Sequence, residues 1–273
     1  MNWLKDLIKI EKSIFANWFT ILDLSKKEFK QEFANARLGI VWAIIKPLAM
    51  ITVFWFIFSS GMKSITGDIE VPYLVWLVSA YVPWIFISDV IICGAGSIRN
   101  KSFLVKKVKF PVEILPNIRI FISFYTFLIL LFITFIIFGT NGVLSIINYY
   151  KLIYSIIVTI IFLSALIRLL ATWVVMSIDI LHGIGVVMQF LFWMCPVMWQ
   201  SGDLPIEKSI PWLSTLLKLN PLYYLIELFR DAFLGTNVST LRYGIYFWVV
   251  TLFLYIFASK QFSRFRPEFD DVL

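Results

Sequence analysis

Charged residues are scarce in this sequence. Asp, Glu, Lys and Arg make up 15% of the 273 residues, hydrophobic residues make up 60%, and the mean hydropathy is +0.86. A water-soluble domain of this length needs far more polar surface to stay in solution. The composition therefore excludes a water-soluble domain and predicts an integral membrane protein.

Residues that commonly carry catalysis or bind metals are also few. His182 is the only histidine, which argues against a histidine metal site and against a Ser-His-Asp triad. Cys93 and Cys195 lie in different apolar segments, so we expect two buried free thiols rather than a disulfide. The sequence has no G-x-x-x-x-G-K-[ST] loop, so we expect no ATP hydrolysis by that mechanism. We predict no catalytic residue, no metal site and no cofactor bound by this chain.

Long apolar segments dominate the rest of the chain. A helix needs about 20 apolar residues to cross a hydrocarbon core of roughly 30 Å. The sequence lacks the alternating pattern of membrane barrel strands, so we predict an all-α integral membrane protein with six transmembrane helices. The fifth segment is short and carries Pro196, where we expect the helix to stop or kink. The six segments are Gly39–Ser60, Tyr73–Ser97, Ile120–Phe138, Leu152–Met176, Ile184–Trp199 and Tyr243–Ser259.

The distribution of Lys and Arg predicts the orientation. Sixteen of these residues precede the first segment, lie between the second and third, or follow the sixth. The positive-inside rule places those regions, and both ends of the chain, in the cytoplasm of a cell-membrane protein. Anionic lipid head groups account for the net charge of +7, so we predict no nucleic-acid partner. The turn near Asp179 to Gly185 carries no Lys or Arg, and it is the weak point of this topology.

An amphipathic helix is predicted before the first span. Phe15, Phe19, Leu22, Phe29 and Phe33 recur at helical spacing, and charged residues fill much of the remaining surface. Such a helix can be a simple interfacial anchor. It can also be a moving element at the mouth of a translocation path.

The loop between the second and third spans is basic and also apolar. From Ser97 to Pro116 it reads SIRNKSFLVKKVKFPVEILP. A solvated loop has no need for apolar residues such as Phe103 and Leu104. The pattern predicts a helix that rests on the membrane or one that docks into a groove of a cytoplasmic partner.

The region from Gln200 to Leu241 is the longest predicted outer stretch. Ile210 to Leu219 and Leu222 to Leu234 are each typical of a short helix, with a break at Asn220-Pro221. Segments of this length are usually re-entrant or interfacial. Glu227, Arg230 and Asp231 in the second piece have spacings that allow i,i+3 and i,i+4 pairing.

Few polar or charged residues lie within the spans. Lys46, Asp89 and Arg168 must each face protein or water, and Lys46 and Asp89 can either pair or line a path. Aromatic residues within the spans can be packing residues or a wall on which sugars stack. We take Trp42, Lys46, Trp55, Tyr81, Trp84, Asp89 and Trp193 as candidates for a substrate path.

In chain order, several motifs resemble those of the permease subunits of type-2 ABC exporters for polysaccharides and teichoic acids. The similarity runs from about Ser25 to Leu273. It implies that residues 1–273 form a single type-2 ABC transmembrane domain. The parts of this domain are a cytoplasmic N-terminus with the amphipathic helix over 1–37, a six-span core over 38–260 and a cytoplasmic tail over 261–273. The motifs are LGIVWAIIKPL from Leu38, VPWIFISD from Val82, LVKKVKFPVEILP from Leu104, CPVMW from Cys195, NPLYYLIELFRDAFLG from Asn220 and RFRPEFDDVL from Arg264.

This resemblance implies a homodimer of the chain with two copies of a separate ATPase subunit, which would hold ATP and Mg. The loop around residues 100–109 would be the coupling helix that contacts the ATPase, and the amphipathic helix would form the cytoplasmic gate. The expected coupling residues are Asn100, Lys101, Ser102, Phe103, Leu104, Lys106, Lys107 and Lys109. The expected gate residues are Phe29, Phe33 and Arg37, and those of the re-entrant region are Tyr223, Glu227 and Arg230.

Three other functions remain open at this point. A type-2 permease can instead export a drug, a peptide or a small lipid. An intramembrane transferase acting on lipid-linked sugars should show clustered Asp, Glu or His at one membrane face, whereas Asp89 and His182 stand alone. A passive channel would have no use for a coupling loop.

Overall fold

The helices of the chain follow one another with short connections. The computed structural model describes residues 3–34, 36–61, 71–107, 110–199, 211–236 and 241–273, and this part is helical without strands. We label the α-helices in chain order: α1 Trp3–Ala16, α2 Trp18–Ala34, α3 Trp42–Gly61, α4 Tyr73–Ala95, α5 Ser102–Lys107, α6 Leu115–Thr140, α7 Tyr149–Met176, α8 Asp179–Met194, α9 Pro211–Lys218, α10 Pro221–Leu234, α11 Leu241–Phe265 and α12 Phe269–Val272.

In the described part of the chain, five helices are long and apolar enough to cross a membrane, which confirms an all-α membrane protein. They are α3, α4, α6, α7 and α11. The remaining predicted span is α8, whose 16 residues rise only about 24 Å, less than a hydrocarbon core of roughly 30 Å. Helix α8 ends at Met194, two residues before Pro196, as the sequence predicted. The count of six spans depends on α8 and stays a prediction.

Helix α4 lies at the centre of the bundle. It packs against α3, α6, α7, α8 and α10, and 78% of its most apolar stretch is buried. Only 11% of the most apolar stretch of α3 is buried, because α3 packs along only one side. The bundle therefore has a well-enclosed central helix and a peripheral first span.

The two short helices predicted before the last span are α9 and α10. Asn220 caps α10, where its side-chain oxygen accepts from the Leu222 N–H at 3.0 Å, and Pro221 occupies the first turn. Gly235, with φ of 66°, ends the helix in the left-handed conformation. Helix α10 is buried from Leu222 to Phe233 between α4, α7 and α11. The break at Asn220-Pro221 is confirmed.

The segments predicted to be cytoplasmic meet at one end of the bundle, which we call the basic end. It comprises α1, α2, residues 98–107 and 110–118, and residues 262–273, and one hydrophobic cluster joins them. Arg99 Nη1 donates to the backbone carbonyl oxygens of Val174 (3.4 Å) and Val175 (3.1 Å) at the end of α7. The turn between α7 and α8, which lacks Lys and Arg, therefore also lies at the basic end.

The predicted amphipathic helix needs a correction. The chain turns at Asn17 and forms two helices, so Phe15 and Phe33 do not share one helix. In α2 the buried residues are Ile21, Ser25 and Phe29, which face α6, whereas Phe19 is exposed. The packing against α6 explains the difference, because that contact selects which side of α2 is buried.

A buried ion pair attaches α1 to the bundle. Arg168 in α7 is 1% exposed, and its Nη2 lies 2.6 Å from Glu11 Oε1 in α1. Its Nη1 donates to Ser259 Oγ of α11 at 3.0 Å, and its guanidinium lies over the Tyr255 ring. The intramembrane Arg168 thus faces protein, as expected from the cost of exposing a charge to lipid.

Replacing Glu11 by Leu should lower the thermal stability of the purified protein in detergent. The change leaves the buried Arg168 charge without its carboxylate, and removing one partner of a buried pair costs about 3–5 kcal/mol. Lys12→Leu, a change at the exposed neighbouring position, is the control and should leave the unfolding midpoint near that of the wild type. Equal midpoints for the two variants would show that the pair does not hold α1.

Candidate functional site

An aromatic cleft opens between α3, α4 and α8. We call this opening the aromatic cleft, and its volume is about 660 Å³. Trp193 on its wall is 61% exposed. The cleft is lined by Met50 and Phe54 of α3, by Tyr81, Trp84, Ile85, Ser88 and Ile92 of α4, and by His182, Gly185, Val186, Met188, Gln189, Phe192 and Trp193 of α8.

Phe192 is the centre of the ring contacts in this cleft. Its ring centroid lies 6.0 Å from that of Phe54, 6.2 Å from Tyr81, 5.6 Å from Trp84 and 5.3 Å from Trp193. Phe54 and Tyr81 also meet edge to face at 5.4 Å. Rings at these distances stabilise one another, so the wall is held together by contacts among its own members.

The polar lining residues of the aromatic cleft are Ser88, His182 and Gln189, and among the described residues that line it none is Asp, Glu, Lys or Arg. Ser88, His182 and Gln189 supply donors and acceptors beside the rings. An aromatic wall with a few such groups can stack against the apolar faces of flat or ring-shaped ligands and hydrogen-bond to their edges. The arrangement is suited to binding.

Three of the seven residues predicted for the substrate path line the aromatic cleft. They are Tyr81, Trp84 and Trp193. Trp42, Lys46, Trp55 and Asp89 do not line it, and their place in a path stays a prediction. Lys46 and Trp42 lie four and eight residues before Met50, so they continue the cleft-lining stripe of α3 towards the basic end.

Asp89 belongs to an ion-pair network rather than to a pair with Lys46. Its Oδ2 lies 2.7 Å from Arg119 Nη2, and Ser123 Oγ donates to the same oxygen at 2.5 Å. Arg119 Nη1 also contacts Glu32 Oε2 of α2 at 3.3 Å. Arg119 lies beside Asp89 because it stands near the basic end of α6, and α6 packs against α4. The network joins α2, α4 and α6 beside Ser88.

The predicted gate residues divide between the interior and the surface. Phe29 is buried and its ring centroid lies 5.4 Å from that of Tyr125 in α6. Phe33 is half-buried and contacts Phe29 at 5.6 Å, whereas Arg37 is exposed just after α2. Phe29 therefore attaches α2 to α6, Phe33 packs beside Phe29, and Arg37 lies beyond the end of that helix. Their role as a gate stays a prediction.

The coupling segment, which we define as residues 99–107, is a 3-10 turn followed by α5. Phe103 is 60% exposed, whereas Leu104 packs against the cluster of the basic end. Asn100 is exposed and Ser102 is half-buried. Lys101 Nζ pairs with Glu28 Oε1 of α2. Lys106 and Lys107 end α5, but their side chains lie outside the described part of the structure, as does Lys109 altogether.

The predicted re-entrant residues form a buried polar group. Arg230 Nη1 lies 3.1 Å from Glu227 Oε1, which confirms the i,i+3 pairing, and Arg230 lies over the Trp76 ring at 4.0 Å. Burial raises the pKa of Glu227, and Arg230 opposes that shift. Tyr223 is buried, and Asp231 pairs with Lys151 of α7 at 3.0 Å. These contacts fix α10 against α4 and α7.

Several residues of these sites are not among those predicted from the sequence. Phe54, Phe192, His182, Ser88 and Gln189 line the aromatic cleft. A search for one helical face would have found part of this set. Tyr81, Ser88 and Ile92 share a face of α4, and His182, Gln189 and Phe192 share a face of α8. Among the described residues, no group of three or more His, Cys, Asp and Glu side chains could hold a metal ion.

The neighbours Phe103 and Leu104 should respond differently to replacement by Asp. Leu104→Asp places a carboxylate in the cluster of the basic end, so we expect a lower unfolding midpoint in detergent. Phe103→Asp changes an exposed position and should stay within about 0.5 kcal/mol of the wild type. The check is thermal unfolding of both purified variants. Equal destabilisation by the two changes would contradict the outward orientation of Phe103.

The chain is similar to known transport proteins over most of its length. It is 22% identical over 265 residues to the O-antigen export system permease protein RfbA of Myxococcus xanthus, which covers 96% of this chain and 98% of that protein. It is 26% identical over 246 residues to the polysialic acid transport protein KpsM of Escherichia coli, which covers 86% of this chain and 90% of that protein. The model of the ABC-2 type transporter family matches residues 21–234. The chain therefore belongs to the ABC-2 type transporter family.

Proposed function

We propose that this chain is the membrane permease of an ATP-driven exporter for a lipid-linked polysaccharide or teichoic acid polymer. It would move the polymer from the cytoplasmic face to the outer face of the cell membrane. The observation that carries the proposal is the aromatic cleft between α3, α4 and α8, in a chain of the ABC-2 type transporter family. Two relatives, named for O-antigen export and polysialic acid transport, support a polymer as the cargo.

The chemistry of the aromatic cleft suits a sliding sugar chain. Aromatic faces stack against the C–H faces of sugar rings without fixing one position, and Ser88, His182 and Gln189 can exchange hydrogen bonds with hydroxyl groups. Because no described lining residue is Asp, Glu, Lys or Arg, this part of the wall holds no carboxylate ion pair that each repeat of the polymer would have to break. Weak, repeated contacts of this kind allow passage rather than retention.

The energy for export would come from a separate ATPase subunit. This chain lacks the phosphate-binding loop, and the exposed Phe103 next to basic residues offers an apolar anchor for a groove on a cytoplasmic partner. Two copies of the ATPase would bind ATP and Mg and would close on ATP binding. The coupling segment would pass that movement to the membrane helices, and α2 would form the cytoplasmic gate.

The path across the membrane would be completed by a second copy of this chain. Helix α3 buries little of its apolar stretch, and Lys46 is exposed in it without an ion pair among the described residues. A Lys facing lipid costs at least about 2.5 kcal/mol near the bilayer centre, so a face shared with water or protein is favoured. Lys46 continues the stripe of Met50 and Phe54, which places that face beside the aromatic cleft. A homodimer would enclose the cleft that one copy leaves open.

The orientation follows from charge. Since the basic end carries the N-terminal helices, the coupling segment and the residues after α11, it would face the cytoplasm, with both ends of the chain on that side. The buried helix α10 would then approach from the outer face.

Replacing Phe103 by Asp should abolish co-purification of the ATPase from native membranes in mild detergent. The exposed ring would be the apolar anchor, and a carboxylate cannot occupy an apolar groove without a large desolvation cost. Phe103→Leu keeps an apolar side chain and is the matched control, for which we expect near wild-type recovery. Recovery of the ATPase with the Asp variant at the wild-type ratio would remove Phe103 from the interface.

Replacing Phe192 by Ala should reduce the amount of polymer that reaches the cell surface by at least about tenfold. The change removes the ring that four other rings of the aromatic cleft contact, and each aromatic contact contributes about 0.5–1.5 kcal/mol. The control is Phe190→Ala, in the same helix but exposed and outside the cleft. The measurement is surface and intracellular polymer in cells that carry only the variant. Equal export by both variants would contradict a path through the cleft, and export of a small molecule instead would change the substrate class.

A further inference from the structure

We propose that the Glu28–Lys101 ion pair transmits movement of the coupling segment to helix α2. This inference rests on the proposed function, because it assumes that an ATPase moves the coupling segment. It adds a residue, Glu28, that lies outside the coupling segment and on α2, the predicted gate helix. Glu28 is a positioning residue, since it acts through Lys101 rather than on the polymer.

Two basic residues at the start of the coupling segment are fixed to different elements. Arg99 donates to carbonyl oxygens at the carboxyl end of α7, where the helix dipole favours a positive charge. Lys101, two residues later, places its Nζ 2.5 Å from Glu28 Oε1 in α2. A displacement of this turn therefore acts on α7 through Arg99 and on α2 through Lys101.

The pair is partly withdrawn from solvent. The Lys101 and Glu28 side chains are 20% and 27% exposed, whereas the Asp23–Lys27 pair of the same helix is 61% and 64% exposed. Partial burial reduces screening, so the attraction between Lys101 and Glu28 is stronger than that of a surface pair. The Asp23–Lys27 pair joins α2 only to itself and cannot transmit movement between elements.

The other contacts of α2 continue the connection to the aromatic cleft. Glu32 lies one turn beyond Glu28 and contacts Arg119 of α6, which pairs with Asp89 of α4. Asp89 is next to Ser88, which lines the cleft. The remaining attachment of α2 to α6 is mostly apolar, through Ile21 and Phe29, and apolar packing is non-directional. Among the described residues, the polar contacts of α2 with other elements are these ion pairs and the 3.3 Å contact between the Ser25 and Tyr125 hydroxyls.

Charge exchange tests the pair in the complete complex of this chain with its ATPase in proteoliposomes. The readout is polymer transported per ATP hydrolysed, for Glu28→Lys, Lys101→Glu and the double variant. Each single change should lower this ratio at least about fivefold, the lower end of typical coupling energies, while the ATPase still co-purifies. The double variant, which restores opposite charges, should recover at least about half of the wild-type ratio. Asp23→Lys, at the exposed pair, should leave the ratio unchanged.

A merely structural role would not give this pattern. Should a reversed charge prevent assembly, Glu28→Gln removes the pair with little change in shape, and the same fall in the ratio is expected. The inference would be overturned if the single variants kept the wild-type ratio of polymer transported per ATP hydrolysed. It would also be overturned if the double variant transported no more per ATP than the single variants. In both cases export by the wild-type complex would leave the proposed function standing. Absence of ATP-dependent export by the wild-type complex would overturn the proposed function and this inference together.

Discussion

Charges within this bundle need partners, because an unpaired charge near the centre of a bilayer costs at least about 2.5 kcal/mol. The bilayer also offers no hydrophobic force between apolar helices, so polar contacts help to decide which helices meet. Arg168 joins α7 to α1 and α11, Arg119 joins α6 to α4 and α2, and Lys151 joins α7 to α10. Paired charges therefore connect elements that are distant in sequence.

This requirement also separates the two ends of the molecule. At the basic end, ion pairs link α1 and α2 to the spans, the coupling segment to α2, and Arg266 to Glu113 just before α6. At the other end, Lys151 and the buried group around Arg230 hold α10 among α4 and α7. Between these ends lies the aromatic cleft, whose described lining has no Asp, Glu, Lys or Arg. A cleft of this kind between two ion-paired ends suits the proposed path along which a polymer would slide.

Much of the fold could be predicted because it depends on length and local chemistry. Five of the six long apolar segments form helices that are long enough to span a membrane. The residues Asn220-Pro221 predicted the break between α9 and α10. Polar and apolar alternation in the basic loop predicted a short helix, although the structure shows that Phe103 and Leu104 face different surroundings.

The site was harder to predict, because a helix that is apolar all round does not reveal which side faces its neighbours. The rings of Tyr81 and Trp84 mark them as candidates for the substrate path. Phe54 and Phe192 cannot be distinguished from packing residues without knowing the rotation of α3 and α8 about their axes. The pairing of Asp89 with Arg119 rather than Lys46 depends on the packing of α6 on α4, which spacing within one helix does not encode. The two-helix form of the N-terminus likewise depends on contacts with α6 and α11.

The most direct test of the central claim is translocation by the purified complex. The chain and its ATPase would be reconstituted into proteoliposomes with the ATPase outside, and the cell's own lipid-linked polymer would be added to the outer leaflet. Our account predicts that ATP makes the polymer resistant to an externally added degrading enzyme, and that an ATPase subunit unable to hydrolyse ATP abolishes this protection. If the polymer stays accessible while ATP is hydrolysed, this chain is not a permease for that polymer.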